Sequence, residues 1–276
     1  RDIVDLKANR QNQITRIPNA FVFGGLTYDD IEQPDQAGSQ NSTNDTRGEM
    51  IEMETDHTLR KSAWPYLPYS KIEADEIQKL FFRHGYTVSV LTGKDGTEFR
   101  MKETGRFALN HDSPSILHIS THGFFFPETK ELLGHTLSSA MHNYKLNGYS
   151  MLRSGLLMAG ANPYWLQTKS AMTGNDGILT AYEISQLNLA QTDLVVLSAC
   201  ETGLGDIKGS EGVFGLQRAF KIAGASKVMT SLWQVPDFQT YELMDLFYKG
   251  YLEEKLSPGE ALKFARDKMR KKRYEP

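Results

Sequence analysis

The chain of 276 residues is 39% hydrophobic and 24% charged, with a formal net charge of −3; this composition is typical of a globular protein and gives no overall field to attract nucleic acid or an anionic membrane. No apolar run approaches the ~20 residues that a membrane-spanning helix needs. The single cysteine excludes an intramolecular disulfide and a multi-cysteine zinc cluster, and its free thiol is expected in a reducing compartment such as the cytoplasm.

Short β-branched runs alternate with helical patterns along the chain. The predicted strands are residues 19–25, 87–91, 115–121, 155–159, the run from 194 into Cys200, and 227–233. The predicted helices are residues 70–85, 98–110, a short one from 180, 210–223, 237–251 and a last one from 257. Capping boxes that begin at Ser70, Thr180 and Ser257 predict the starts of three of them. Residues 33–48 have almost nothing to bury and predict an exposed loop, and the segment 124–177 shows a strand pattern only at 155–159.

Strands that alternate with capped helices predict an α/β fold with a mostly parallel central sheet and helices on both faces. In such sheets, ligands and catalytic groups gather at the carboxyl ends of the strands. His122 follows one predicted strand, and Cys200 ends another. The pattern therefore puts a histidine and the single cysteine at strand ends.

Cys200 has two interpretations from the residues alone. A strand-end cysteine is often a buried packing residue, and a lone histidine is more often part of the core. A nucleophilic thiolate needs a basic neighbour, because a free thiol with a pKa of ~8.5 is only slightly ionised at neutral pH, and His122 is the candidate. Gly123 leaves room for a substrate carbonyl, and its N–H with that of Cys200 would form an oxyanion hole. The residues alone leave a hydrolase and a packing role about equally supported.

The motifs around these two residues resemble the CHAT family, bacterial caspase-like peptidases that are commonly fused to tetratricopeptide repeats. Three segments carry the resemblance: SILHISTHGFFF at 115–126, DGILTAYEISQLNL at 176–189, and LVVLSACETGLGDIKGSEGVFGLQRAFKIAGASKVMTSLWQVPD at 194–237. The similarity runs, with gaps, from about residue 64 to about residue 270.

The resemblance implies a caspase–haemoglobinase fold in a single domain over residues 1–276, with His122 and Cys200 as a catalytic dyad and Gly123 and Cys200 as oxyanion donors. It implies a cytoplasmic cysteine endopeptidase that cleaves a specific partner protein in bacterial regulation or defence, such as a pore-forming or accessory protein. No metal or organic cofactor is expected. The expected partners are the protein substrate and a sensor or repeat-containing region of the same or another chain, with no membrane and no direct nucleic-acid contact.

The chain departs from the family pattern at both ends. The family usually has sheet-forming sequence before the region of residues 1–20 and an aromatic-rich strand after the last helix. This chain opens at Arg1 without a methionine and stops where that strand would begin. We therefore expect a fragment whose sheet is incomplete or is completed by another part of a larger protein.

The residues that select the substrate are less clearly marked. Peptidases of this broad fold often hold a basic side chain with an acidic group, and Asp237 and Glu211 are the candidates. Asp237 has a second interpretation, as the cap of the helix that it precedes. An apolar pocket with Trp233 and Phe124 fits the sequence equally well, so no cleavage rule follows from it.

Other functions fit the sequence less well than a peptidase. A catalytically silent caspase-like scaffold, serving as an interaction module of a sensor protein, would be favoured by loss of the dyad, and neither residue is lost. A nucleotide site after the 194–200 strand lacks the third glycine, because Lys208 stands there. A calcium loop at Asp176 lacks its earlier oxygen ligands, and zinc at His118 is not expected since its pairing with His122 lies on a strand. The basic run 268–273 is expected to be a solvated helix end.

Overall fold

The computed structural model describes residues 17–29, 63–106, 113–125, 150–166, 168–169, 175–199, 215–231 and 236–274. The predicted exposed loop at 33–48 lies outside these residues, as does the predicted start of a helix at 210. The strands of the described part are β1 Asn19–Leu26, β2 Thr87–Gly93, β3 Ile116–Ser120, β4 Gly123–Phe125, β5 Ser154–Leu157, β6 Ile178–Thr180, β7 Leu194–Ser198 and β8 Lys227–Thr230.

The central sheet has five strands in the order β2-β1-β3-β7-β8, and all neighbours are parallel. Every residue of β3 and β7 is buried, as expected for central strands covered on both faces. This confirms the predicted α/β class and the mostly parallel sheet.

Helices cover both faces of that sheet, as predicted. They are α1 Pro68–Arg83, α2 Glu98–Arg106, α3 Asn162–Trp165, α4 Ala181–Ser185, α5 Gly215–Ile222, α6 Asp237–Leu252 and α7 Pro258–Tyr274. The apolar residues of α1, α6 and α7 pack on one face, and those of α2, α4 and α5 contribute to the core on the other face. No helix in the described ranges is long and apolar enough to cross a membrane.

A second sheet, which the sequence pattern did not predict, packs against the core that contains α4 and α5. It is antiparallel, with the order β4-β5-β6. Its strands have only three or four residues, too few for a clear alternation of apolar and polar side chains. Gly155 is needed at its centre because a Cβ there would lie 2.6 Å from both the carbonyl oxygen of Leu179 and the ring of Phe124.

The three predicted capping boxes have different outcomes. The box at Thr180 is confirmed, since Thr180 and Glu183 each bond the other's backbone N–H, and Ser257 makes the same exchange with Glu260. The box at Ser70 is wrong: α1 begins at Pro68, two residues earlier, with Leu67 at its N-cap. The hydroxyl of Ser70 donates instead to the carbonyl of Ser120 in β3.

Candidate active site

His122 lies at the carboxyl end of β3, next to the strand that leads to Cys200. β3 and β7 pair in parallel as far as Ser120 and Ser198. In the sequence, His122 comes two residues after Ser120, and Cys200 comes two residues after Ser198. Cys200 is outside the described residues, and Ala199 is the last described position before it.

The imidazole of His122 is fully buried and held by the segment that precedes α1. Its Nε2 lies 2.8 Å from the carbonyl oxygen of Pro65. A carbonyl can only accept, so Nε2 carries the proton in the neutral ring and Nδ1 carries the lone pair. The rings of Trp64 and Tyr28 flank the imidazole, with centroids 4.8 and 5.1 Å away. The contact with Pro65 therefore fixes one tautomer of the neutral ring.

Asn162, at the start of α3, positions the Trp64–Pro65 segment. Its Oδ1 accepts from the Trp64 N–H at 2.8 Å, and its Nδ2 donates to the Trp64 carbonyl at 3.1 Å. Nδ2 also donates to Asp29 at 2.8 Å. One buried amide thus pairs both backbone groups of Trp64 and sets the direction of the next carbonyl, that of Pro65.

The backbone at His122 is fixed by contacts to β5. The carbonyl of His122 accepts from the Leu157 N–H at 2.9 Å, and the hydroxyl of Thr121 donates to the carbonyl of Leu157. Because that donation uses the single proton of Thr121, the hydroxyl of Tyr28, 2.8 Å away, is the donor in their contact. These bonds leave the chain little freedom at the end of β3.

Gly123 has a backbone N–H that the antiparallel ladder does not use. Gly123 faces Leu156, and the bond from Leu157 N–H to His122 makes this a non-hydrogen-bonded pair. The N–H of Gly123 is therefore directed away from β5, toward the outer edge of the three-stranded sheet, where β4 is the edge strand. This orientation suits a donor to a developing oxyanion.

The segment that enters Cys200 is also fixed at its last described residue. The hydroxyl of Ser231, just past β8, donates to the carbonyl of Ala199. Ala199 itself is buried in the core. The carboxyl ends of β7 and β8 are thereby joined at the residue that precedes Cys200 in the sequence.

Asp237 is fully buried and caps a helix other than its own. Its Oδ2 accepts from the Tyr69 N–H in the first turn of α1 at 2.8 Å, where Leu67 supplies no side-chain cap. The expectation that Asp237 caps α6 is wrong, because the N-cap of α6 is Pro236 and it makes no side-chain cap bond. Nearby, burial raises the pKa of Tyr66, with Lys71 opposing and the carboxylate of Asp237 adding to the rise.

Of the other predicted substrate residues, the structure describes Phe124. Phe124 is 7% exposed and packs in the core, its ring centroid 5.4 Å from that of Trp165. Glu211 and Trp233 lie outside the described residues. Asp237 is connected to the region of His122 through its bond to Tyr69 of α1, four residues after Pro65.

No group of three or more histidine, cysteine, aspartate or glutamate side chains suited to a metal ion occurs among the residues that the structure describes. His118 bonds Glu73 and Tyr248 instead. Asp176 accepts from the Ile178 N–H within its own turn.

A comparison with models of protein families shows the family of this chain. A family model for the CHAT domain matches residues 6–276. The chain belongs to the CHAT domain family. This is a family of caspase-like peptidases, and the five-stranded parallel sheet flanked by helices agrees with that fold. The CHAT domain is also similar to tetratricopeptide repeat protein 28 of Mus musculus, with 36% identity over 89 residues, which are 31% of this chain and 4% of that protein. It thus spans a small part of that relative's length.

Sequence reasoning missed the residues of the CHAT domain that support His122. Pro65 acts through its backbone carbonyl, which has no residue-type signature. Asn162 is 98 residues from Trp64, and no local pattern connects the two. The sequence signal for this supporting segment was the Trp64-Pro65 pair, because the residue before a proline is restricted to extended conformations.

Proposed function

We propose that this CHAT domain is a cysteine endopeptidase in which His122 and Cys200 form the catalytic dyad. The observation that carries the proposal is the buried His122 at the end of β3, its Nε2–H donated to Pro65 at 2.8 Å, beside the strand whose next residues lead to the single thiol. A histidine kept in one tautomer and presented at a strand end is the arrangement that a thiol nucleophile needs.

In the proposed mechanism, Nδ1 of His122 takes the proton of the Cys200 thiol. The thiolate attacks the scissile carbonyl carbon, and the electron pair of the C=O bond moves to oxygen. The N–H groups of Gly123 and Cys200 donate to that oxyanion. His122 then gives its proton to the leaving amine as the C–N bond breaks, and a thioester on Cys200 remains. Water, deprotonated by His122, hydrolyses the thioester and restores the thiol.

The donation from Nε2 to Pro65 has a defined part in this cycle. When Nδ1 accepts the thiol proton, the imidazole becomes a cation, and the Pro65 carbonyl is a charge-assisted acceptor for it. Burial of the ring between Trp64 and Tyr28 keeps its orientation constant through both proton transfers.

For the substrate, we propose a polypeptide segment of a partner protein with a basic residue before the scissile bond, held by Asp237. The support is the place of this carboxylate in the N-terminal turn of α6, where it bonds Tyr69 of α1 four residues after Pro65. Glu211 and Trp233 remain proposed pocket residues. Phe124 receives less support, because its ring is packed in the core.

We further propose that residues 1–276 act as one peptidase domain of a larger assembly, which controls it through a repeat-containing or sensor region. The likeness to a tetratricopeptide repeat protein supports such a partner. A role in bacterial regulation or defence, with cleavage of a pore-forming or accessory protein, belongs to the same proposal. The free thiol that the mechanism needs is compatible with the cytoplasm.

The test is cleavage of a mixture-based fluorogenic peptide library by the wild type, Cys200→Ala and His122→Ala. We expect both variants to lose at least about 10³-fold in kcat/KM. His84→Ala is the matched control, because this exposed histidine lies at the C-cap of α1 and its Nδ1 bonds the Leu80 carbonyl of the same helix. It should cleave like the wild type.

The alternative is a catalytically silent scaffold, which the similarity to a repeat protein also suits. It predicts a folded wild type that cleaves nothing, even with the repeat-containing partner present. That result would reject the peptidase proposal, whereas cleavage that depends on both residues would reject the scaffold.

A further inference from the structure

A polar trio lies in the apolar layer between the sheet and helices α1 and α6. His118, at the centre of β3, pairs across the sheet with Val22 and Val196, and both valines are fully buried. Its side chain bonds Glu73 of α1 and Tyr248 of α6. Glu73 is 1% exposed, and the other two members of this trio are 0% exposed.

The hydrogen bonds of the trio have a defined direction. Burial, with the nearby Glu73 carboxylate, raises the pKa of Tyr248 well above its ordinary value, so the phenol keeps its proton and donates to Nδ1 of His118 at 3.1 Å. With Nδ1 accepting, Nε2 carries the ring proton and donates to Oε1 of Glu73 at 2.8 Å. Both ring nitrogens of His118 are thus used, one by each helix.

Each of the three elements joined by the trio carries a group of the proposed active site. β3 ends two residues before His122, and α1 follows directly on the segment that offers the Pro65 carbonyl to His122. α6 begins with Asp237, which caps α1 at Tyr69.

Hydrogen bonds join α1 to β3 at two positions along the strand. Glu73 meets His118, and one turn earlier Ser70 exchanges hydrogen bonds with Ser120. Three residues of helix advance about 4.5 Å and two residues of strand about 6.6 Å, so the two ties fix both the rotation and the height of α1 on β3. Contacts between aliphatic side chains do not provide this, since they are non-directional and tolerate repacking.

We propose that Glu73, His118 and Tyr248 are positioning residues that set α1 on β3, and thereby hold the Pro65 carbonyl against Nε2 of His122. This rests on the proposed function, in which that contact selects the catalytic tautomer. The trio reaches the reacting atoms only through Pro65 and His122 and takes no proton from the substrate.

The test removes the trio without leaving a buried charge unpaired. In the double variant Glu73→Leu/His118→Leu, apolar side chains replace the pair, a change that proteins often tolerate with little loss of stability. We expect kcat on a peptide selected from the library to fall by about 10- to 100-fold, with KM changed less than about threefold, since small misplacement of catalytic groups has effects of this size. Glu73→Gln keeps an acceptor for His118 and should stay within about threefold of the wild type.

Two readouts separate positioning from packing. Ile77→Val, one turn further along the buried face of α1, is the matched control: it should lower the melting temperature and leave kcat unchanged. Nitrogen-15 NMR of the histidine rings, with His122 assigned by its loss in His122→Ala, should show the Nε2–H tautomer in the wild type and a mixture in the double variant. This second readout needs no turnover, so it tests the trio even if the peptidase proposal fails.

Three results would overturn the proposal. The first is a double variant with wild-type kcat and an unchanged His122 tautomer, which would reduce the trio to packing. The second is a folded Glu73→Gln variant as impaired as the double variant. If the double variant does not fold, Tyr248→Phe serves instead. Its kcat is expected to fall by about two- to fivefold at constant KM, because one neutral hydrogen bond is lost. The third overturning result is a Tyr248→Phe variant with unchanged kcat and an unchanged His122 tautomer.

Discussion

Replacement of Asn162 by leucine should weaken both the fold and the proposed catalytic histidine. The amide makes two hydrogen bonds to the backbone of Trp64 and one to Asp29. At about 1 kcal/mol net for each bond, and about 1–3 kcal/mol more for the Trp64 N–H left buried and unpaired, the loss in free energy of unfolding is about 4–6 kcal/mol. The segment before α1 would then hold the Pro65 carbonyl less firmly against His122.

Two assays measure these effects. Urea unfolding followed by tryptophan fluorescence gives the free energy, and cleavage of a library-selected peptide gives kcat and KM. We expect kcat to fall by about tenfold or more, at a temperature where the variant is still folded, because the tautomer of His122 is no longer fixed.

Thr168→Val is the matched control for Asn162→Leu. Thr168 is exposed, and its hydroxyl donates to the carbonyl of Pro163, the residue after Asn162 in α3. Thr168→Val should change the free energy of unfolding by less than about 0.5 kcal/mol and leave kcat as in the wild type. A loss of less than about 1 kcal/mol in Asn162→Leu with kcat unchanged would refute this prediction, since the hydrogen bonds of Asn162 would then contribute neither stability nor alignment of His122.

Three further predictions follow from other parts of the fold. In Gly155→Ala the new Cβ would meet the Leu179 carbonyl at 2.6 Å, so denaturant unfolding should show a loss of about 1–3 kcal/mol; unchanged stability would contradict the close packing. Asp237→Asn keeps an acceptor for the Tyr69 N–H, so its stability should stay within about 0.5 kcal/mol while cleavage after basic residues falls; wild-type cleavage would remove Asp237 from the pocket. Burial raises the pKa of Glu98 from 4.5 to about 8, so the folded state keeps the carboxyl proton to a higher pH than the unfolded state does. The stability of the wild type should therefore fall relative to Glu98→Gln as pH rises from about 5 to about 8, and parallel stability curves would disprove the shift.

The strands and the proposed dyad could be read from the sequence because their signals are local. The runs of β3 and β7 are buried throughout and mostly apolar, which is typical of central parallel strands, and His122 and Cys200 each follow their strand by two residues. The parallel direction of these strands follows from the alternation of strands and helices, whereas the pairing of β3 with β7 is known from the structure. The register itself has no such signal and is known from the structure.

The support of the site could not be read from the sequence. The bonds from His122 to Pro65 and from Asn162 to Trp64 join residues 57 and 98 positions apart, and one partner in each is a backbone group. The Ser70–Glu73 pattern illustrates the reverse case. It matches a capping box, but both side chains are used in tertiary hydrogen bonds to β3. Ser70 donates to the carbonyl of Ser120. Glu73 accepts from His118, which is buried and needs an acceptor.

The most direct test of the proposed dyad is to trap the acyl-enzyme. Acid quench during turnover of a library-selected peptide, followed by intact and peptide-level mass spectrometry, should show the acyl group as a thioester on Cys200 in the wild type. We expect no adduct in Cys200→Ala and at least about tenfold less in His122→Ala. Cleavage that continues undiminished in Cys200→Ala would contradict the account, because peptide hydrolysis would then proceed without the thiol.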